Sequence, residues 1–246
     1  MNFKVGDVVT RLSHNSDCEF VIYKIKDNIA FLKGKCTRLN ADAPLTDLKI
    51  SEKRNSINSN LSLKLPNFSN NTLFGKVLHL DGDSNFLKKC MDLYAQYKVP
   101  AIGYYISENN MAFSINDLLL KHKPDVLVIT GHDALSKSPF ANEYMNSKFF
   151  LETIKNARVF QQDKDSMPIV VGGCQSNFKS LIEYANFASS PASINIAALD
   201  PAIIAIMIAT TSVNELVDVL GAVNQTSGKT AGMTGIDTRG VARKLY

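Results

Sequence analysis

Two residues of this chain combine a reactive side chain with a setting suited to nucleophilic chemistry. In "MPIVVGGCQSNF" (residues 167–178) an apolar run stops at two glycines and then presents Cys174. In "DVLVITGHDALS" (residues 125–136) a second apolar run stops at a glycine and presents His132. A thiol attacks a carbonyl as its thiolate, and a histidine can take the thiol proton and return it to a leaving amine. A cysteine that opens a helix would also feel the positive field of the helix N-terminus, which favours the thiolate. The glycines leave space for a substrate carbonyl, and the N–H of Cys174 with that of Gly173 or Asp133 would form an oxyanion hole. Alone, such a histidine reads as a hydrogen-bonded turn residue and such a cysteine as a small buried hydrophobe. The same form in two separate strands makes the pair stand out. Their separation, 174 − 132 = 42 residues, is one strand–helix–strand unit.

These residues need a scaffold that brings strand ends together, and the chain from Leu73 onward predicts one. "GKVLHLDGD", "VPAIGYYI", "PDVLVITGHD" and "MPIVVGGC" read as buried strands, with "NFASS" and "INIAALD" as further candidates. Helical segments follow them: "SNFLKKCMDLYAQY", "SINDLLLKHK" with Ser114 as N-cap, "NSKFFLETIKNARVF" and "QSNFKSLIEYA". Two more helices are expected within "PAIIAIMIATT" and "SVNELVDVLGAVNQ", and the glycine-bearing tail "TSGKTAGMTGIDTRGVARKLY" reads as loop. Apolar strands alternating with helices predict an α/β fold with a mostly parallel sheet covered on both faces. In such sheets chemistry gathers at the carboxyl ends of the strands, where Asp81, Asp83, His132, Cys174, Ser189 and Ser190 all fall.

The first 50 residues differ. Short β-rich runs separated by Asn, Asp, Ser and Gly predict a small SH3-like barrel of four or five strands. Residues 51–72, rich in Asn and Ser, read as an exposed linker between that module and an α/β domain spanning 73–246. The net charge of +4 is mild and no basic cluster interleaves with aromatics, so nucleic-acid binding is not favoured. The longest apolar run, residues 201–211, is too short to span a bilayer, and no signal peptide is evident. Cys18, Cys36, Cys90 and Cys174 form no CxxC pair, so neither a zinc site nor a disulfide framework is expected; no metal or cofactor is called, and a reducing intracellular compartment is the default. Cys18, Cys36 and Cys90 receive no role, and His14, His79 and His122 no partner.

The stretches "GDVVTR", "LKGKCTRLNADAPLTDL", "VLHLDGDSNFLKKC", "PDVLVITGHDALSKS", "GGCQSNFKSLI", "ANFASSP", "ALDP" and "GIDTRG" resemble the YabG family of sporulation-specific cysteine proteases over nearly the whole chain except the linker. More distantly, a strand ending in His before a strand ending in Cys is similar to the caspase, gingipain, clostripain and legumain group. The resemblance implies a caspase-like fold and an endopeptidase that works in the sporulating cell's cytoplasm, with the developing spore. Its implied partners are proteins of the spore coat and cortex, and cleavage falls after Arg or Lys, with self-cleavage. His132 and Cys174 carry over as the dyad. The chain departs from the wider group at Asp133, where glycine commonly follows the histidine.

A pocket that reads a basic side chain needs a carboxylate, because a buried unpaired guanidinium is costly. Asp81 and Asp83 end the first strand, where the resembling peptidases often place this residue; their ordinary reading is an N-cap or Asx turn at "DGDSN". Asp133 and Asp200 are weaker candidates. Ser189 and Ser190 would line the pocket or pair with substrate backbone, or merely begin a turn at Pro191. Self-cleavage is expected in the 51–72 linker or nearby. The alternative reading is a non-catalytic spore assembly or ligand-binding α/β protein, although neither GxGxxG nor a Walker loop is present.

Overall fold

The computed structural model describes residues 3–51, 62–138 and 141–246. The N-terminal module is a five-stranded antiparallel sheet of β1 (Val8–Arg11), β2 (Phe20–Lys26), β3 (Ile29–Gly34), β4 (Asn40–Pro44) and β5 (Leu48–Ile50), in the order β4-β3-β2-β1-β5. Val9, Phe20, Ile22, Ala30 and Leu32 alternate inward, as a sheet with one solvated face requires. A strand β6 (Thr72–Leu73) then precedes the α/β domain.

Residues 52–61 of the expected linker lie outside the described residues. Its later part does not hang free: Leu63 is buried and its N–H donates to the Tyr97 hydroxyl at 2.7 Å, while the Lys64 N–H donates to Gln225 Oε1 at 2.6 Å.

The α/β domain runs β7 (Val77–Asp81), α1 (Ser84–Gln96), β8 (Ala101–Tyr105), α2 (Met111–His122), β9 (Val126–Thr130), the hairpin β10 (Leu135–Ser138) and β11 (Ala141–Tyr144), α3 (Ser147–Phe160), β12 (Ile169–Gly172), α4 (Phe178–Ile182), β13 (Phe187–Ser189), α5 (Asp200–Thr210), α6 (Val219–Asn224), α7 (Lys229–Gly232), β14 (Met233–Gly235) and β15 (Arg243–Lys244). The sheet order is β14-β13-β12-β9-β7-β8, with every pairing parallel except β14 against β13. The first strand, β7, lies between the second (β8) and third (β9), so chain direction across the sheet reverses there and a crevice opens at the carboxyl ends of β7 and β9.

Both faces are covered. Leu78, Leu80, Leu127, Ile129 and Val171 pack with Met111, Ile115, Phe150 and Ile154 from α2 and α3. Val77, Val126, Val128 and Val170 share the other cluster with α1, α5 and the core of the N-terminal module, so module and domain are joined by one continuous apolar interior. All eleven residues of α5 are buried, which accounts for a helix without a polar face.

Several local expectations are corrected. The helix assigned to "SINDLLLKHK" starts at Met111 behind Asn110, because a 3-10 turn at Glu108–Asn110 feeds it one turn earlier than Ser114. Of "SVNELVDVLGAVNQ", only Val219–Asn224 is helical; Asp218 caps it by accepting the Gly221 N–H. "INIAALD" does not join the main sheet and forms instead a bridge between Ala197 and Thr37. The tail is not merely loop: its Met233–Gly235 segment is the antiparallel edge strand.

Candidate active site

Register fixes the relation of the two reactive residues. Thr130 of β9 pairs with Gly172 of β12, and His132 and Cys174 each lie two residues beyond, so they leave neighbouring strand ends. An added Cβ at Gly173 would stand 2.7 Å from the Gly131 carbonyl oxygen and 3.0 Å from the Asp133 nitrogen, so the two turns touch and only glycine fits between them.

Cys174 is not at a helix start. The next helix, α4, begins only at Phe178, and burial pushes the thiol up to about 12 while the Ile196 N–H, 3.2 Å from Sγ, counters it weakly. Burial likewise lowers His132 to about 4 against the opposing pull of Asp83, whose Oδ2 lies 3.9 Å from Nδ1. The imidazole stacks on Phe86 at 5.3 Å, and among the described residues neither ring nitrogen has a hydrogen-bond partner. Thiol and imidazole are therefore both neutral here, and both are sealed from solvent, with Cys174 0% and His132 1% exposed.

The seal comes from the N-terminal module. Residues 36–40 cross the strand ends: Ala198 N–H donates to the Cys36 carbonyl (3.0 Å), Arg38 N–H to the Ile196 carbonyl (3.2 Å) and Asn40 N–H to the Asp133 carbonyl (3.4 Å). The Arg38 carbonyl oxygen accepts the N–H of Cys174 and the N–H of Asp133, each at 3.2 Å. The Gly173 N–H turns away, donating to Ser176 Oγ at 2.9 Å, so the converging donors are those of Cys174 and Asp133.

The Arg38 side chain fills a pocket floored by Asp81. Nη1 and Nη2 donate to the two carboxylate oxygens at 2.9 and 2.7 Å, Nη2 also donates to the Ala198 carbonyl at 2.9 Å, and the guanidinium stands 5.2 Å from the Phe86 ring centroid. Burial by itself would raise the Asp81 carboxyl, but the Arg38 charge and hydrogen bonds outweigh it and hold the group well below the ordinary carboxylate range. For Arg38 the same pairing overcomes burial and raises the guanidinium further. His79, fully buried, bridges the Tyr94 hydroxyl (3.0 Å) and Thr130 Oγ1 (2.8 Å) beneath this pair. His79, Asp81 and Cys90 approach one another closely enough to share a cation, yet Arg38 Nη2, 3.8 Å from Cys90 Sγ, already supplies positive charge at that point.

The other sequence candidates have different neighbours. Asp83 Oδ1 caps α1 through the Asn85 and Phe86 N–H groups (2.9 and 3.0 Å), leaving its second oxygen toward His132. The Asp133 carboxylate binds the N–H groups of Ala134 and Asn146 and the Ser147 hydroxyl, which organises the turn after β9. Ser189 and Ser190 donate to the Gly173 carbonyl at 2.7 and 3.1 Å and so brace the turn that carries Cys174; no contact of theirs with residues 36–40 is seen among the described residues. Asp200 lies away from the pocket, accepting the N–H groups of Ala197 and Ser227.

Sequence reasoning missed Arg38, Phe86 and Glu108. Half-buried Glu108, its carboxyl raised by desolvation, accepts the His132 N–H at 3.0 Å and packs against Gly82 and Gly131. In sequence Arg38 and Glu108 are single charged residues in loops. The one available signal is that "KCTRLN" places an arginine within a strongly patterned module.

A doubly covered sheet thus brings a cysteine, a histidine and two converging N–H donors to one crevice, and the comparisons with known proteins place this fold among hydrolases of peptide bonds. The family profile described as YabG peptidase U57 matches residues 4–68 and 67–246, and the chain belongs to this family of peptidases. It is 39% identical to the sporulation-specific protease YabG of Bacillus subtilis (strain 168), across 99% of this chain and 97% of that protein. No solved structure matches.

Proposed function

We propose that this protease is a sporulation-specific cysteine endopeptidase that cuts after Arg, and less readily after Lys, in proteins of the spore coat and cortex. Cys174 is the nucleophile and His132 the base. One observation carries the reading: a peptide carbonyl oxygen rests between the N–H groups of Cys174 and Asp133, at the crevice where His132 also emerges. Thiolate attack there would place the developing oxyanion on two fixed donors in a dry site, where such donors have most effect. The thiol proton passes to His132, which returns it to the leaving amine, and water releases the acyl group from Cys174. Asp81 reads the side chain before the cut, since its two oxygens match a guanidinium fork that an ammonium does not fill. Asp83 positions His132, Gly173 allows the turns to close, and Ser189 and Ser190 hold the turn that carries the nucleophile.

The five parallel strands with an antiparallel edge strand support a caspase-like reading of the domain. The β4-β3-β2-β1-β5 meander with a 3-10 turn before β5 supports an SH3-like one for the module. The same reading includes self-cleavage. Among the described residues no helix is long and apolar enough to cross a membrane.

The test is hydrolysis of a fluorogenic peptide amide carrying Arg, Lys, Gln or Asp before the reporter, by wild type, Cys174→Ala and His132→Ala. Arg-selective hydrolysis lost in both variants is expected. Hydrolysis that survives Cys174→Ala would exclude the mechanism and favour a different nucleophile, and none by any form of wild type would favour a non-catalytic assembly protein.

A further inference from the structure

We infer that residues 36–40 are the chain's own substrate, with Arg38–Leu39 as the bond cut in self-cleavage. The inference rests on the peptidase reading above and adds the position of the bond, together with a role for the N-terminal module as a covalently attached occupant of the site. Four independent features of Arg38 coincide with what a cleavable residue must satisfy. Its side chain is 0% exposed and bound two-pronged by Asp81. Its N–H donates to Ile196, and Thr37 bridges Ala197 in antiparallel register, a short backbone pairing of the kind by which a peptide docks beside a site. Its carbonyl oxygen holds both N–H donors at the nucleophile turn. The residue after it, Leu39, bridges Asp133 in parallel register, next to His132 in sequence. A loop packed there only for stability would need none of these to fall on one residue.

The step balances without a co-reactant other than water. Cys174 Sγ gives its proton to His132 and bonds the Arg38 carbonyl carbon. The Arg38–Leu39 C–N bond then breaks, with the proton going from His132 to the new Leu39 amine. Water supplies hydroxide to the Arg38 carbonyl carbon and a proton to Sγ, leaving an Arg38 carboxylate and the free thiol. Before attack, Sγ must leave the Ile196 backbone groups, 3.2 and 3.5 Å away, so the arrangement is a bound and uncut one. Cutting here divides the module: β1, β2 and β3 fall in the first fragment, while β4 and β5, which pair with β3 and β1, stay with the rest. The fragments therefore remain associated until denatured, and only the new ends at 38 and 39 are free to withdraw from the crevice.

The experiment is intact-mass and N-terminal analysis of the purified full chain, with the fluorogenic Arg peptide assayed in parallel. Wild type should yield fragments 1–38 and 39–246 that co-elute in native buffer and separate in denaturant. Cys174→Ala should stay whole. Arg38→Gln and Leu39→Pro should also stay whole, with folding followed by circular dichroism. Arg38→Lys keeps the cation and should cut at the same bond about tenfold or more slowly, because an ammonium lacks the fork. A wild type that cuts at another bond, or that cleaves the peptide while staying whole, overturns the inference and leaves the peptidase reading standing; so does cutting at 38–39 by Arg38→Gln or an unchanged rate in Arg38→Lys. Absence of peptide hydrolysis in both wild type and Arg38→Gln, or its survival in Cys174→Ala, overturns the peptidase reading itself.

Discussion

Arg38 of the N-terminal module and Asp81 of the parallel sheet meet through two hydrogen bonds of 2.9 and 2.7 Å, with neither side chain exposed. Two charges this dry are tolerable only together, since each would otherwise have been taken from water uncompensated. The pair therefore couples the folding of the module to the geometry of the crevice.

Removing one member is the first prediction. In a Cys174→Ala background, which keeps the chain whole, Asp81→Asn strands the Arg38 charge and should cost about 3–5 kcal/mol in urea unfolding. Adding Arg38→Gln should restore part of that loss, because the second change removes the stranded charge. Equal losses for the single and double variants would show that the pair contributes little.

The pair also sets an acid limit. Asp81 is held below its unfolded value, so its contribution is present above the ordinary carboxylate range and is lost as pH falls through the lowered folded value. His132 acts in the same direction at higher pH. Its folded value, about 4, lies below the ordinary 6.5, so the unfolded chain binds the proton first and stability falls from about pH 6.5 down to 4. In Cys174→Ala, stability should therefore decline in two stages as pH is lowered. Buried His79, also lowered by desolvation, acts in the same direction, so His132→Gln should shrink the upper stage without abolishing it, as followed by urea midpoints between pH 8 and pH 3.

Much of this arrangement was legible in the sequence, and what was not has a common cause. The strands "DVLVITGHD" and "MPIVVGGC" announce themselves because burial on both faces demands unbroken apolar runs, and a polar strand end then stands out. Asp81 and Asp83 were visible for the same reason. Arg38 was not: a pocket occupant is defined by what another segment, 43 residues away in sequence, does with its side chain. The same holds for Glu108, whose place against His132 depends on two glycines at strand ends it does not adjoin. The supposed helix-start position of Cys174 failed because Ser176 closes the turn by accepting the Gly173 N–H and Asn177 is the residue that caps α4, so the helix starts only at Phe178.

The covered thiol gives a third prediction. With Cys174 fully buried and raised to about 12, its thiolate fraction at pH 8 is about a thousandfold below that of an ordinary thiol near 9. In Leu39→Pro, where the segment stays in place, iodoacetamide should modify the half-buried Cys18 and Cys36 well before Cys174, as read by peptide mapping. Wild type that has cut itself should lose this protection. Rapid labelling of Cys174 in the uncut variant would mean that the segment does not seal the crevice.

Asp83 does two things that can be separated. Its Oδ1 caps α1, and its Oδ2 faces His132 at 3.9 Å, where its charge raises the imidazole. Asparagine retains the cap and drops the charge, whereas alanine loses both, at about 1 kcal/mol for the cap. Asp83→Asn should keep its stability but shift the acid limb of kcat/KM toward lower pH, because His132 loses a neighbour that favours its protonated form. Asp83→Ala should show the same shift with a lower urea midpoint. An unmoved acid limb in Asp83→Asn would leave Asp83 as a helix cap alone.

The narrowest prediction concerns Gly173. A methyl there would meet the Gly131 carbonyl oxygen at 2.7 Å, the Asp133 nitrogen at 3.0 Å and the Asp133 Cβ at 3.1 Å, all of them backbone or near-backbone atoms with little freedom to yield. The turns carrying His132 and Cys174 must then separate, and the Asp133 N–H moves off the carbonyl oxygen that it shares with Cys174. Loss of one such donor costs about a hundredfold or more in kcat. Gly173→Ala should therefore lower kcat on an Arg peptide by that order while KM changes little, since Asp81 and its pocket belong to β7, which β9 separates from β12. Far-UV circular dichroism should stay at the wild-type spectrum. A variant with normal kcat would show that the Asp133 N–H takes no part in stabilising the transition state, and that the Cys174 N–H acts with some other donor.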